Sequence, residues 1–210
     1  MSTQLFIPIT KNARVITRIT PGASQLLIAL HGYGQLASYF SKAFENLPET
    51  CDFLIPEGMH RFYLEGSSGR VGASWMTKEE REMDIADNLN YLNQLLNTHL
   101  KEHSYDEIHV LGFSQGGATA ARWVGQLKMS INKLILWACV FPDDMQHTFE
   151  AGQCPVKERI FVLGDEDPYF TGEQGDQATS YYRKLDFSLI LYPGTHRVQP
   201  EVLQQIIQQS

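Results

Sequence analysis

A chain of 210 residues with 43% hydrophobic and 20% charged residues carries enough apolar material for one well-cored domain and little for two, so a single domain spanning 1–210 is expected. Acidic residues outnumber basic ones 24 to 17, the net charge is -7, and no basic cluster is long enough to follow a phosphate backbone, which argues against a nucleic-acid partner. The start, Met1-Ser2-Thr3-Gln4-Leu5-Phe6, has no basic or long apolar leader region and no later run nears the ~20 apolar residues of a membrane span, so a cytoplasmic protein without an integral membrane segment is expected.

Arg14-Val15-Ile16-Thr17-Arg18-Ile19 alternates like a half-exposed edge strand, and after the turn signal Pro21-Gly22 the unbroken run Gln25 to Leu30 reads as a buried strand. Beyond His31-Gly32-Tyr33-Gly34, residues Leu36, Tyr39, Phe40, Ala43, Phe44 and Leu47 recur at helical spacing until Pro48. Cys51 to Pro56 is a short strand, and Glu57 to Met76 a glycine-rich irregular stretch of a length that implies function. Thr77 with Glu80 gives a capping-box signal, followed by the apolar stripe Ile85, Leu89, Leu92, Leu96 and Leu100. Then come a strand at 107–111, a helix from 115 to about 127, strands at 133–140 and 159–163, a helix around 177–184, a strand at 187–192 and a helix at 199–209. This alternation predicts an α/β fold, a mostly parallel central sheet with helices on both faces and ligands beyond the carboxyl ends of its strands. No segment is large enough for a separate cap domain. Cys51, Cys139 and Cys154 share no metal-ligand spacing and read as reduced thiols, Cys139 as plain core.

Between one of these strands and its helix stands Gly112-Phe113-Ser114-Gln115-Gly116, the G-x-S-x-G pattern of a nucleophile elbow. A serine on so sharp a turn needs almost no side chain two residues to either side, which Gly112 and Gly116 satisfy. The pentapeptide arises by chance roughly one time in fifteen in a chain of this size, so a glycine-bounded turn with Ser114 as a mere helix cap is the plain alternative, and the partners decide.

A serine hydroxyl needs a general base, and the base needs a carboxylate to hold its tautomer. His196 follows the strand at 187–192 through Pro193-Gly194-Thr195, and Asp165, Glu166 and Asp167 follow the strand at 159–163. Ser114, then acid, then His196 is the chain order of α/β-hydrolases. Among the other histidines, His31 sits in a turn with a different task and His109 points into packing. His99 and His103, four apart, have no third ligand nearby and read as solvated helix-end residues. His60 is the rival to His196. Asp167 is preferred over Asp165 because Asp167-Pro168 opens the loop that can reach the next strand's histidine, while Asp165 would brace it. For the oxyanion, the Gln115 N–H is one donor and the Tyr33 N–H, in a glycine turn after a buried strand, the other.

Leu30-His31-Gly32-Tyr33-Gly34, Gly112-Phe113-Ser114-Gln115-Gly116-Gly117, Gly164-Asp165-Glu166-Asp167-Pro168 and Tyr192-Pro193-Gly194-Thr195-His196 together resemble the small carboxylesterase and acyl-protein thioesterase family of α/β-hydrolases. The resemblance runs from about Gln25 to the C-terminus and differs in having Gln35-Leu36-Ala37 after the H-G-x-G turn. It implies a capless hydrolase with Ser114, Asp167 and His196 as triad, the Tyr33 and Gln115 amides as oxyanion hole, no cofactor and no metal. It also places the segment Ala73-Ser74-Trp75-Met76 beside the site, hence an open substrate groove lined by Trp75, Met76 and Tyr33. The implied reaction is cleavage of carboxylic ester or thioester bonds of small or acyl-chain molecules, with room for a homo-oligomer. Competing readings are a catalytically silent binding protein, disfavoured because no triad residue is missing, and a lactonase or peptidase on the same triad.

Overall fold

Strands buried at nearly every position need cover on both faces, and four such strands, with a fifth buried over its carboxyl half, form the middle of this protein. In the computed structural model, which describes residues 3–209, they are β2 (Gln25–Leu30), β3 (Cys51–Pro56), β6 (Glu107–Phe113), β7 (Ile131–Trp137) and β8 (Val156–Gly164). Met1, Ser2 and Ser210 lie outside the described residues, so the opening of the predicted leaderless stretch is not covered. Edge strands β1 (Val15–Arg18) and β9 (Ser188–Tyr192) complete a seven-stranded sheet in the order β1-β3-β2-β6-β7-β8-β9. Only β1 runs antiparallel; every other pairing is parallel. This is the predicted α/β-hydrolase architecture. Among the described residues no helix is long and apolar enough to cross a membrane.

The connection from β2 passes through α1 (Ala37–Phe40) to β3 on one side, whereas that from β6 passes through α3 (Gln115–Val124) to β7 on the other. With right-handed crossovers these helices lie on opposite faces, and a crevice opens between the neighbouring ends of β2 and β6. The Gly32–Gly34 turn and Ser114 therefore emerge side by side because of the strand order.

Several elements differ from the sequence expectation. The stretch 57–76 is not irregular: β4 (His60–Glu65) and β5 (Ser68–Ser74) pair as an antiparallel hairpin, their alternation masked by glycines at the turn and along β5. The helix expected over 36–47 is α1 followed by a single 3₁₀ stretch, Ser41–Phe44. Ser41 Oγ bonds back to the Ser38 carbonyl at 3.1 Å, and Arg18 collects the carbonyls of Glu45, Leu47, Pro48 and Cys51, an arrangement that competes with helical continuation. The capping box does not form. Helix α2 (Arg81–His99) starts from Glu80 in a left-handed conformation without a side-chain cap, and Asp84 instead accepts the Thr77 N–H at 3.1 Å. Strand β7 ends at Trp137, because Ala138 turns to φ +47° and sends Cys139 and Val140 out of the sheet. A short helix α4 (Gln146–Glu150) follows, too brief to leave a periodic signal. Helices α5 (Glu173–Lys184) and α6 (Pro200–Gln208) flank β9 in the chain.

Polar groups are also buried towards the amino ends of the strands. Lys133 on β7 donates to the Ile206 carbonyl at 2.9 Å and to that of Gln209, so its ammonium satisfies the last carbonyls of α6 and favours that helix's negative end. Beside it across the register lies His109, fully buried, with Glu107 3.4 Å away. Burial lowers the His109 pKa from 6.5 to about 4; Glu107 opposes the shift and Lys133 adds to it. A histidine held neutral in the fold but free to ionise in the unfolded chain makes stability fall with pH below about 6.5, by roughly 1.4 kcal/mol per pH unit until the folded value is reached. Urea midpoints measured from pH 7 to 4.5 should decline more steeply in the native protein than in His109→Leu; equal slopes would contradict this assignment.

Candidate active site

The turn at Ser114 is forced by how closely two adjacent strands approach. Ser114 has φ 52° and ψ -122°, a region that costs a non-glycine residue about 1–3 kcal/mol and needs rigid surroundings. Those surroundings are glycine contacts. A Cβ on Gly116 would lie 2.4 Å from the Leu30 carbonyl oxygen and 2.5 Å from that of His31, and one on Gly112 would lie 2.5 Å from Gly117 Cα. The requirement for glycine two residues either side of the serine thus comes from the neighbouring β2 backbone and from the first turn of α3, not from the serine's own Cβ. The Ser114 N–H donates to the Trp137 carbonyl at 2.9 Å, which ties the elbow to β7 as well.

A cavity of about 640 Å³ opens over this turn. It is bordered by Ser114 and Gln115 of the elbow, Gly32, Tyr33 and Gln35 of the β2 turn, Ala138, Cys139 and Val140 beyond β7, Tyr169 and Phe170 beyond β8, and His196 beyond β9. All five connections leave carboxyl ends of parallel strands, where a sheet of this kind holds its ligands. Among the described residues, no ionisable side chain other than His196, tyrosine and cysteine lines it, and burial pushes the Cys139 thiol up to about 12. Cys139, expected as plain core, is buried yet forms part of this wall, with its sulfur 3.1 Å from the Tyr182 hydroxyl.

His196 and Asp167 meet here. His196 Nδ1 lies 2.7 Å from Asp167 Oδ2, while Asp167 Oδ1 accepts the Tyr169 N–H at 2.9 Å, so both oxygens of a fully buried carboxylate are satisfied. With Nδ1–H committed to the carboxylate, Nε2 is the free, basic nitrogen. The Phe113 ring and the Tyr169 ring, 4.8 and 4.6 Å away between centroids, hold the imidazole from two directions. Asp165 has a separate place: it is exposed and accepts the Gly194 N–H at 3.0 Å, bracing the loop that carries His196. Ser114 Oγ makes no hydrogen bond among the described residues; such serine–imidazole contacts are often long until substrate is bound.

The other histidines are occupied elsewhere. His60 bonds Asp84 at 2.9 Å on the hairpin, outside the cavity lining. His99 and His103 stack on each other, and His99 Nε2 meets the Tyr105 hydroxyl at 2.9 Å. His31 is buried, accepts the Gly58 N–H on Nε2 at 2.9 Å and so carries its proton on Nδ1, directed at the Gly32 carbonyl at 2.8 Å. Burial lowers its pKa, which keeps the ring neutral as this bonding requires.

Of the two expected oxyanion donors, neither the Tyr33 nor the Gln115 N–H has a hydrogen-bond partner among the described residues, and both residues border the cavity. Trp75 and Met76, expected to border a substrate groove, are not among the described residues that line this cavity. Trp75 is fully buried and Met76 faces α2 and α3 beside Arg122, so neither lines the cavity. Tyr33 does, 62% exposed at its mouth, together with Tyr169 and Val140, which the sequence reading passed over. Their position after β7 and β8 was the available signal. The Trp75 segment is drawn inward by the Gln115 side chain, whose Oε1 accepts the Trp75 N–H at 3.0 Å and whose Nε2 donates to the Met76 carbonyl at 2.9 Å.

Comparison with known proteins agrees with this architecture. Curated proteins give no match to the sequence. Among solved structures, the chain is similar to the Zea mays acyl-protein thioesterase 2, with 16% identity, a TM-score of 0.69 and coverage of 93% of this chain and 96% of that one. It is similar also to esterase PE8 (16% identity, TM-score 0.66, 94% and 99% coverage) and to the Bacillus cereus carboxylesterase (14%, 0.63, 92% and 91%). At such identities the likeness is one of fold. The sequence model for phospholipase/carboxylesterase, by contrast, matches residues 11–209, nearly the whole chain, and on that match the protein belongs to the phospholipase/carboxylesterase family of hydrolases.

Proposed function

We propose that the protein is a serine hydrolase that cleaves carboxylic ester or thioester bonds of small or acyl-chain molecules through a covalent acyl-enzyme. The observation that carries this reading is the 2.7 Å bond between His196 Nδ1 and the buried Asp167, in the same cavity as a serine held at positive φ. His196 Nε2 takes the Ser114 proton as Oγ attacks the carbonyl carbon. The oxyanion that forms is received by the Tyr33 and Gln115 N–H groups, donors without a hydrogen-bond partner among the described residues. Collapse of the tetrahedral intermediate breaks the bond to the leaving group, which departs with the proton from His196. Water then enters along the same path, is deprotonated by His196 and releases the acid.

The chemistry of the walls supports a neutral substrate. Phe113, Ala118, Ala138, Val140 and Phe170 offer apolar contact, and among the described residues no carboxylate, ammonium or guanidinium borders the cavity to bind a charged acyl or leaving group. Small side chains at 118 and 138 leave room for an acyl chain on the side away from Tyr33. A lactonase or a peptidase would use the same triad, and a substrate panel separates these from the leading reading by kcat/KM.

A fluorophosphonate probe should label the native protein and not Ser114→Ala, and hydrolysis of p-nitrophenyl acetate should vanish in the same variant; full activity without the serine would sink the assignment. The two candidate acids separate by substitution. Asp167→Asn should lower kcat on the order of 10³-fold or more by releasing the imidazole from its tautomer. Asp165→Ala loses one hydrogen bond at the His196 loop and should cost about 1 kcal/mol of stability, with kcat reduced far less. The reverse ranking would reassign the acid.

A further inference from the structure

Trp75 uses every polar group it has, and each one reaches a different part of the protein. Its backbone N–H donates to Gln115 Oε1 at 3.0 Å, its indole Nε1–H donates to the His31 carbonyl at 2.8 Å, and its carbonyl accepts from Asn88 Nδ2 at 2.7 Å. The first bond ends on the residue whose N–H is one proposed oxyanion donor. The second ends two residues before Tyr33, whose N–H is the other. The ring is fully buried and lies 5.1 Å from the His31 ring between centroids.

The attachments at both ends are stiff. On the elbow side, Ser74 Oγ accepts from Gln115 Nε2 at 3.0 Å and donates to the Met76 carbonyl at 2.8 Å, so the whole carboxamide of Gln115 is clasped by β5 and the residues after it. On the β2 side, the turn is fastened to the same strand by the Gly34 N–H, which donates to the Ala73 carbonyl at 2.9 Å. The hairpin comes close enough to do this because Gly72 presents no Cβ, which would lie 2.5 Å from the Gly34 carbonyl oxygen.

We infer that Trp75 is a positioning residue: a hydrogen-bonded spacer between the Gln115 side-chain carboxamide and the His31 backbone carbonyl that fixes the separation of the two oxyanion donors. The inference rests on the proposed serine hydrolase reading and assigns the Trp75 segment a task other than contact with substrate. Donor placement is sensitive because an N–H stabilises the oxyanion only near 2.7–3.1 Å, and the gain appears in the transition state, not in substrate binding. Losing the spacer therefore lowers kcat and leaves KM nearly unchanged, the opposite of losing a residue that lines a binding groove.

The test replaces Trp75 by Phe, which removes the indole N–H and keeps an aromatic ring in the core. Expected are a ten- to hundredfold fall in kcat on p-nitrophenyl acetate with KM within about twofold, and a parallel loss of affinity for an alkyl boronic acid, whose serine adduct places an oxygen in the oxyanion position. Trp123→Phe is the control: that indole, near the C-terminal end of α3, is equally buried and donates to Asn93 Oδ1 of α2 at 2.9 Å, so its loss costs stability without changing kcat or boronate affinity. Unchanged kcat and boronate affinity in Trp75→Phe, or an equal fall in Trp123→Phe, overturns the proposal. Should Trp75→Phe not fold, Ser74→Ala withdraws one hydroxyl from the same clasp and is judged by the same measurements. Amide NMR keeps the spacer separate from the catalytic reading. Joint displacement of the Tyr33 and Gln115 resonances in Trp75→Phe supports the spacer even if Ser114→Ala retained activity, and unmoved resonances count against it.

Discussion

Two strands, β2 and β6, lie side by side at the centre of the sheet, and what leaves their carboxyl ends has to share very little space. The Gly116 backbone rests against the carbonyls of Leu30 and His31 at a distance no side chain would tolerate. That contact holds α3 against the end of β2, keeps Ser114 in a conformation it would not adopt alone, and sets the two glycine turns facing each other. The other components are arranged around it. Beyond β7 in the sheet, strands β8 and β9 deliver Asp167 and His196, and the hairpin closes the other side through Gln115 and Trp75. A strained serine is stable here because backbone packing, not side-chain preference, decides its geometry.

The electrostatics divide along the strands. Towards their amino ends, buried ionisable groups are paired or kept neutral: Lys133 on the last carbonyls of α6, His109 between it and Glu107. At the carboxyl ends the buried carboxylate Asp167 stands behind His196, and among the described residues no carboxylate, ammonium or guanidinium lines the cavity itself. The two oxygens of Asp167 are taken by the imidazole and by one backbone N–H, so it is placed to stabilise positive charge that develops on His196.

Much of this could be read from the chain because the informative residues sit at strand ends, where position in the sequence fixes position in the fold. The order of Ser114, Asp167 and His196, the glycines at 112 and 116, and the turn at 32–34 each follow a buried apolar run that only a strand could make. What could not be read depends on which way a segment folds back. The hairpin at 60–74 carries an alternating pattern on β4, but Gly66 at its turn and Gly69 and Gly72 along β5 obscured it. Trp75 and Met76 sit close to the site in the chain, and nothing in their sequence shows that Gln115 turns them inward. Likewise Tyr169 and Val140 became part of the cavity through a left-handed Ala138 and a turn after Asp167, choices of backbone with no periodic signal.

The mouth of the cavity has its own consequence. Tyr33, Tyr169 and Val140 stand at its rim with most of their surface in solvent, and no further element folds over them among the described residues. An acyl group bound to Ser114 in such a place is reached by bulk water as readily as its leaving group departs. A competing acceptor such as an alcohol or amine finds no dry compartment at this rim to favour it over water. The shape of the rim thus directs the proposed intermediate towards release of the free acid instead of transfer to a second molecule.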